Sequence, residues 1–287
     1  MNNNAPVVAV PAPRPPQIRP KYRRPRADKT AAEQEHLNLV LTAAETAIRI
    51  FRQHAFPAAI FGSLACKLYG NSRCPKVRGS NRSKDADILV FPHSTEIHAE
   101  ILKQLLVASA PRNFYLKNAR DPAATYRVLW YRSNPPSRRE TKVDILVPGP
   151  MSLPQIPGSR IRWISNLPLA PFCFILLHKL KGWADHREAP EGFKRARQST
   201  DAADVRRLLE IAAEMQMLQA TPLWWKDAEL FDEQLQTDSV ERVKLYCAEF
   251  PARAERWRSL GFEVPESGPE PEPDIGTVQS LLAAMTV

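Results

Sequence analysis

The pattern of apolar positions divides the chain into a mixed α/β part and a helical part. Apolar residues recur at helical spacing over 31–54, and short runs rich in β-branched and aromatic residues follow. Helices are also predicted over 62–70 and 95–109. The predicted strands are 57–61, 84–91, 113–117, 125–132, 142–147 and 161–165. Beyond Pro168 the pattern is helical, with helices predicted over 170–186, 200–218 and within 238–260.

This order predicts an α/β (α+β) fold in which a mixed-sheet domain is followed by a C-terminal helical domain. We expect a basic, proline-rich disordered tail over 1–30, a sheet domain over 31–167 and a helical domain over 168–262. A second tail, 263–287, combines acids and prolines with a short apolar end. Neither tail has the hydrophobic period that a packed core needs.

Composition places the folded part among soluble globular proteins. Apolar residues fill 44% of the 287 positions, charged residues fill 25%, and no apolar run approaches the roughly 18 residues of a membrane span. The cysteines form no CxxC pair and the N-terminal residues lack a secretory pattern. We therefore expect a reduced, cytoplasmic or nuclear setting without membrane contact.

The net charge of +9 is concentrated in the N-terminal tail. Residues 1–30 carry seven Lys and Arg side chains against one acid, Asp28, which accounts for most of the excess. This tail is either a solvated segment or an arm that contacts nucleic acid. The concentration of charge in a tail weakens the inference that the folded body binds nucleic acid.

Three aspartates stand at the leading ends of two similar strands, KDADILVF and TKVDILVP. Side chains alternate along a strand, so Asp85 and Asp87 share one face, and Asp144 begins an equivalent strand. Such carboxylates repel one another unless a cation lies between them, and Mg²⁺ prefers oxygen ligands. The alternative is a set of strand-edge acids bonded to Lys84, Lys142 or loop amides.

The stretch FGS at 61–63 offers a place for a phosphate close to these acids. A strand ends at Phe61, Gly62 permits a tight turn, and Ser63 opens a helix whose first N–H groups favour an anion. Helix capping alone also explains a Gly-Ser pair. The order of phosphate turn, aspartate pair and later aspartate is the more specific signal.

The segments AAIFGSLACKLYG, KDADILV and KVDILVPG together resemble the nucleotidyltransferase fold of the DNA polymerase β superfamily. Its signature is a hydrophobic-Gly-Gly/Ser turn, an Asp-x-Asp strand and a later Asp. With LLHKLKGWADHR and STDAADVRRLL, the sequence is similar above all to an uncharacterised fungal group of nucleotidyltransferase-like proteins. The resemblance covers roughly residues 35–215.

The resemblance implies that Gly62 and Ser63 bind the triphosphate of an NTP. It implies that Asp85 and Asp87 bind two Mg²⁺ ions, and that Asp144 binds the catalytic ion and helps to activate the attacking hydroxyl. Two such ions neutralise phosphate charge on both sides of the transferred group.

In the helical domain the resemblance points to Lys179 as a lysine that reaches the nucleotide, with Lys181 as the alternative. Asp201 and Asp204, three residues apart on one helix face, would orient Lys179 or contact the acceptor. A helix-dipole role explains Asp201 equally well.

One departure from the family pattern is a long basic loop. Twenty-one residues separate Ser63 from Asp85, and the excess includes four cations: Lys76, Arg78, Arg82 and Lys84. The loop at 74–84 would either grip phosphates or be a solvated insertion.

The sequence therefore predicts a Mg²⁺-dependent nucleotidyltransferase that moves an NMP from an NTP to an unknown acceptor, which is a small molecule, RNA or protein. Two alternatives stay open. One is a catalytically inactive protein of this fold that binds a nucleotide or a partner, and the other is nucleic-acid binding through the basic tail.

Overall fold

The computed structural model of the protein describes residues 26–71, 85–119, 124–133, 139–215 and 223–264. Most of both predicted tails, Cys74 and the basic loop 74–84 lie outside these ranges, so what the sequence predicts for them stays a prediction. The first helix begins at Arg26, inside the segment assigned to the N-terminal tail.

The elements follow the predicted change from mixed to helical structure. The strands are β1 (Ala58–Ile60), β2 (Ala86–Val90), β3 (Phe114–Asn118), β4 (Arg127–Arg132), β5 (Glu140–Leu146), β6 (Arg162–Ile164) and β7 (Leu167–Leu169). The α-helices are α1 (Arg26–Gln53), α2 (Gly62–Leu68), α3 (Ala99–Ser109), α4 (Phe172–Glu188), α5 (Gly192–Arg195), α6 (Gln198–Glu214), α7 (Glu233–Glu249) and α8 (Ala254–Ser259).

The described strands form one mixed seven-stranded sheet in the order β3-β4-β5-β2-β1-β7-β6. β2 runs parallel to β5 and β1 runs parallel to β7, whereas the other neighbouring pairs are antiparallel. The middle of the sheet is therefore built from β2 and its neighbours, the strands that carry or adjoin the predicted site residues.

Alternation along β5 separates a buried face of the sheet from a polar one. Thr141, Val143 and Ile145 are buried, and the residues between them are partly exposed. Helix α1 contacts β1, β2, β4 and β5, and α3 contacts β3 and β5. Because successive side chains point to opposite faces, Lys142 and Asp144 lie together on the other side from Val143.

Helix α4 joins the helical part of the molecule to the sheet. Two residues separate it from β7, and it contacts α2, α6 and α7. Its residues Phe174, Leu177 and Trp183 are buried, and the Trp183 ring meets Tyr246 of α7 edge-on with 5.0 Å between centroids. This aromatic packing fixes the position of α4 relative to the neighbouring helices.

The predicted fold class is confirmed, since a mixed sheet is followed by helices. The sequence did not indicate β7, a three-residue strand that contains Pro168 and lies across the predicted boundary between 167 and 168. Among the helices of the described residues, none combines the length and the apolar character that crossing a membrane requires.

Candidate active site

The sheet register brings the three aspartates to one edge. The Cα of Asp87 in β2 is paired with that of Asp144 in the parallel strand β5, and Asp85 immediately precedes β2. Because β1 is antiparallel to β2, its C-terminal end lies beside the beginning of β2. The Phe61 N–H accordingly donates to the Asp87 carbonyl at 2.9 Å, which places the turn after β1 next to the acids.

Gly62 approaches Asp87 more closely than any other residue type could. Its φ is +61°, and a β-carbon there would lie 2.7 Å from Asp87 Cγ. Left-handed backbone is unfavourable for residues with a side chain, and the space such a side chain needs is already filled. The glycine of the FGS stretch is thus required by both conformation and contact.

Ser63 lies partly exposed in the first turn of α2, directly after Gly62. The N-cap residue of this short helix is Phe61, which has an extended backbone and makes no side-chain cap. The hydroxyl of Ser63 is therefore not used as a helix cap. The turn that precedes it lies beside Asp87, because the Phe61 N–H donates to the Asp87 carbonyl.

Simultaneous ionisation of the three aspartates is unfavourable. Burial, together with the negative charges of Asp144 and Asp85, raises the pKa of Asp87 to about 7 against the opposing positive charge of Lys179. Burial also raises the pKa of Asp85, with a further contribution from Asp144, although Lys142 acts in the opposite direction. A group of carboxylates in this condition gains from any additional cation.

Lys142 is the cation that the structure places among the acids. Its Nζ lies 2.5 Å from Asp144 Oδ2 and 3.4 Å from Asp85 Oδ2. Burial would lower the pKa of Lys142, but Asp144 and Asp85 outweigh that effect and raise it. This contact is one of the alternatives that the sequence left open for the strand-edge acids.

Lys179 and Asp204 meet between α4 and α6. The Lys179 Nζ lies 3.2 Å from Asp204 Oδ2, and Asp204 is 1% exposed. Asn71, just after α2, donates to the other oxygen of Asp204 at 3.4 Å. The charge of Lys179 also acts on Asp87. Lys179 thus pairs with a buried acid of the helical part, and its positive charge also opposes the rise in the pKa of Asp87.

Lys181 and Asp201 are placed apart from these contacts. Lys181 pairs with Asp185 one turn along α4 at 2.5 Å. Asp201 in the first turn of α6 lies 2.7 Å from His186 Nδ1. The structure therefore brings together Lys179 and Asp204 from the predicted set, whereas Lys181 and Asp201 have local partners.

The donor chemistry of the acids fits a hard cation, although the side chains as placed do not enclose one. Within the described residues, no group of three His, Cys, Asp or Glu side chains is arranged to hold a metal ion. Asp85 Oδ1 is nevertheless buried without a hydrogen-bond partner among those residues. A buried carboxylate oxygen lacking a donor is a suitable ligand for Mg²⁺.

Two residues near the acids carried no signal in the sequence. Asn71 follows Gly70 at the end of α2, where an asparagine is ordinary turn chemistry. His178 lies next to Lys179, and its ring is 5.4 Å from that of Phe61 and 4.2 Å from that of Phe174. Its apolar neighbours in the helix gave it the pattern of a core residue.

Comparison with known proteins identifies the fold. The chain matches no family model and no curated protein. The crystal structure of an antigenic nucleotidyltransferase-like protein from Paracoccidioides brasiliensis is similar over 79% of this chain and 94% of that one, with a TM-score of 0.53 and 15% identity. The crystal structure of a candidate nucleotidyltransferase from H. pylori is similar over 79% of this chain and 97% of that one, with a TM-score of 0.34 and 13% identity. The first likeness confirms the predicted nucleotidyltransferase fold, and the second is too low to carry an argument.

Proposed function

We propose that the protein is a Mg²⁺-dependent nucleotidyltransferase that transfers an NMP from an NTP to an acceptor. The observation that carries this proposal is the cluster of Asp85, Asp87 and Asp144 at one sheet edge, with Gly62 packed against Asp87. The fold likeness supports it. A carboxylate cluster beside the turn at the start of α2 suits a reaction whose main demand is neutralisation of phosphate charge.

The reaction exchanges one bond at phosphorus for another. The acceptor oxygen bonds to the α-phosphorus, the bond from that phosphorus to the bridging oxygen breaks, and pyrophosphate leaves. Two Mg²⁺ ions, held by the three aspartates, would supply Lewis-acid stabilisation of the phosphate oxygens. Asp144 is the carboxylate we assign to receive the proton of an attacking hydroxyl.

The residues around the cluster position the triphosphate in this proposal. The backbone at Gly62 and the hydroxyl of Ser63 face the phosphates from the end of β1. Lys179, whose stem runs from α4 and whose amine is held by Asp204 at 3.2 Å, approaches from the helical side. A fixed ammonium loses little freedom when it binds a phosphate, so it contributes to affinity and orientation.

The test is transfer of label from an α-labelled NTP in the presence of Mg²⁺. Because the acceptor is a small molecule, RNA or protein of unknown identity, each of these fractions of a cell extract is offered in turn. Wild type labels one fraction, and Asp87→Asn and Asp144→Asn reduce labelling by about 10²-fold or more, a typical loss when one group that stabilises the transition state is removed.

Glu140→Gln is the matched control for this experiment. Glu140 lies on β5 four residues before Asp144 and on the same face, but it pairs with Lys117 and Tyr115. Its variant should retain transfer, and thermal melting of all variants checks that they are folded. Unchanged labelling in Asp87→Asn would contradict the proposed chemistry.

A non-catalytic nucleotide-binding role is the second candidate, and the contact of Lys142 with Asp85 and Asp144 favours it. An ammonium that neutralised the acids permanently would leave a site able to bind an NTP without transferring it. Equilibrium binding of an NTP together with no label in any fraction would support this second function.

A further inference from the structure

We propose that Lys142 is an internal counter-ion that holds Asp85 and Asp144 in the metal-free protein and that a divalent cation must displace it. The inference rests on the proposed function, because the displacing cation is the one that the transfer reaction uses.

The first step is the geometry of the ammonium. Lys142 and Asp144 are two residues apart on β5 and therefore share a face, and Asp85 lies at the start of the adjacent parallel strand. The Lys142 Nζ contacts Oδ2 of both acids, at 2.5 Å and 3.4 Å. One flexible side chain thus bridges two strands at the position where the carboxylates converge.

The second step concerns the direction in which Lys142 reaches. Its cross-strand neighbour on β4 is Trp130, on the same face of the sheet. That indole already faces another cation, since the Lys117 Nζ lies 4.1 Å from its ring centroid. On the β2 side Lys142 meets carboxylates instead. Electrostatics therefore directs the ammonium toward the acids and away from β4.

The third step is that the ammonium and a metal ion compete for the same oxygens. An ammonium 2.5 Å from a carboxylate oxygen repels a divalent ion that approaches the same oxygen, so the metal binds less tightly while the ammonium stays in contact. Asp85 Oδ1, buried without a partner in the part of the chain that the structure describes, remains available for an incoming ion. The Lys142 side chain is 31% exposed, so it has room to leave.

Direct titration with Mn²⁺, followed by the electron paramagnetic resonance signal of the free ion, tests the inference. Lys142→Met should bind Mn²⁺ at least about tenfold more tightly than wild type, because a unit charge is removed beside a partly exposed site. Lys181→Met is the matched control, since Lys181 pairs with Asp185 on α4 and its variant should bind like wild type. Equal or weaker binding by Lys142→Met would overturn the inference.

Thermal melting gives a second readout that a merely structural lysine would not reproduce. In chelator, Lys142→Met should melt below wild type because the acids lose their counter-ion. In saturating Mn²⁺ the order should reverse. A variant that melts below wild type by the same margin in both conditions would show that Lys142 is structural and would overturn the proposal.

Acetylation of the wild-type protein keeps the test decisive if Lys142→Met does not fold. Mass spectrometry should find faster acetylation of Lys142 when Mn²⁺ is added, because the amine is released, and an unchanged or slower rate contradicts the inference. Failure of the two proposals can be distinguished. Label transfer with unchanged Mn²⁺ affinity in Lys142→Met refutes displacement alone, whereas tighter Mn²⁺ binding without any transfer refutes the proposed enzyme activity alone.

Discussion

The contact between Gly62 and Asp87 ties a backbone conformation to the position of a carboxylate. Gly62 has a φ of +61°, and its missing β-carbon leaves the space that Asp87 occupies. The pKa of Asp87 is also raised to about 7, by burial first and then by the neighbouring acids. A change at Gly62 therefore acts on the acid cluster without altering any ionisable group.

We expect Gly62→Ala to impair NTP transfer far more than stability. The left-handed conformation costs about 1–2 kcal/mol for alanine, whereas the new methyl group must push the Asp87 carboxyl out of place. Melting temperature and label transfer measure the two effects. Gly158→Ala is the control, since Gly158 has nothing within 4 Å of the added carbon. Full activity in Gly62→Ala would contradict the assigned contact.

At the residue scale, the two-residue period of a strand was enough to predict that Asp85 and Asp87 share a face. The contact of Asp144 with Lys142 also follows from that period, because the two residues are on one strand. The contact of Lys142 with Asp85 could not be predicted in the same way. It depends on the register of β5 against β2, which the sequence encodes only through the packing of the whole sheet.

Helix α4 presents two lysines two residues apart that the structure treats differently. Lys179 lies against buried Asp204, and its charge acts on Asp87. Lys181 pairs with Asp185, which is largely exposed. Helix positions two residues apart do not face the same direction, so the two amines have separate surroundings.

Replacing the two lysines of α4 one at a time should affect NTP affinity differently. Lys179→Met should weaken NTP binding by about tenfold or more, because the proposed contact between this largely buried charge and a phosphate is lost, and Lys181→Met should leave affinity unchanged. Isothermal titration with an NTP measures both. Lys179→Arg, which keeps the charge, should recover part of the affinity. Equal affinities in Lys179→Met and wild type would remove Lys179 from the site.

Strand β7, which the sequence did not indicate, could not be predicted from the pattern of residues. It has three residues, and Pro168 in its middle suggested a boundary rather than a strand, because proline lacks the N–H that a sheet ladder uses. Its parallel pairing with β1 joins residues far apart in the chain. Neither short-range periodicity nor turn chemistry encodes such a partner.

At the scale of the whole molecule, the fold class was predictable because strand-like and helical periods alternate and then give way to helices. Strand order was not predictable, since it depends on which elements pack together. The two tails lie mostly outside the described residues, so nucleic-acid binding through residues 1–30 stays a prediction of the charge pattern.

His178 makes the stability of the whole fold dependent on pH. Burial, together with the positive charges of Lys181 and Arg242, lowers the pKa of this imidazole to about 3. A histidine with a depressed pKa favours the folded state above its unfolded value of about 6.5. That contribution is lost as the pH falls from there toward 3, because the unfolded chain binds the proton first.

We expect the free energy of unfolding of wild type to fall by about 2 kcal/mol between pH 7 and pH 5 through His178 alone. In His178→Gln this part of the decrease should be absent, as measured by urea unfolding at each pH. His98→Gln, at an exposed position before α3, should follow the wild-type slope. Parallel curves for His178→Gln and wild type would contradict the assignment.

The pairing of β1 with β7 also has a consequence for folding during synthesis of the chain. Ile60 is synthesised early, but its parallel partner Leu169 emerges about 110 residues later, so this pairing carries a large loop-closure cost. Until then β1 can pair with β2 on one side while its other edge stays open. A nascent chain in this state presents an unpaired strand edge, a typical point of misassembly. The short strand β7 therefore covers this edge of β1 only after residue 169 has been synthesised.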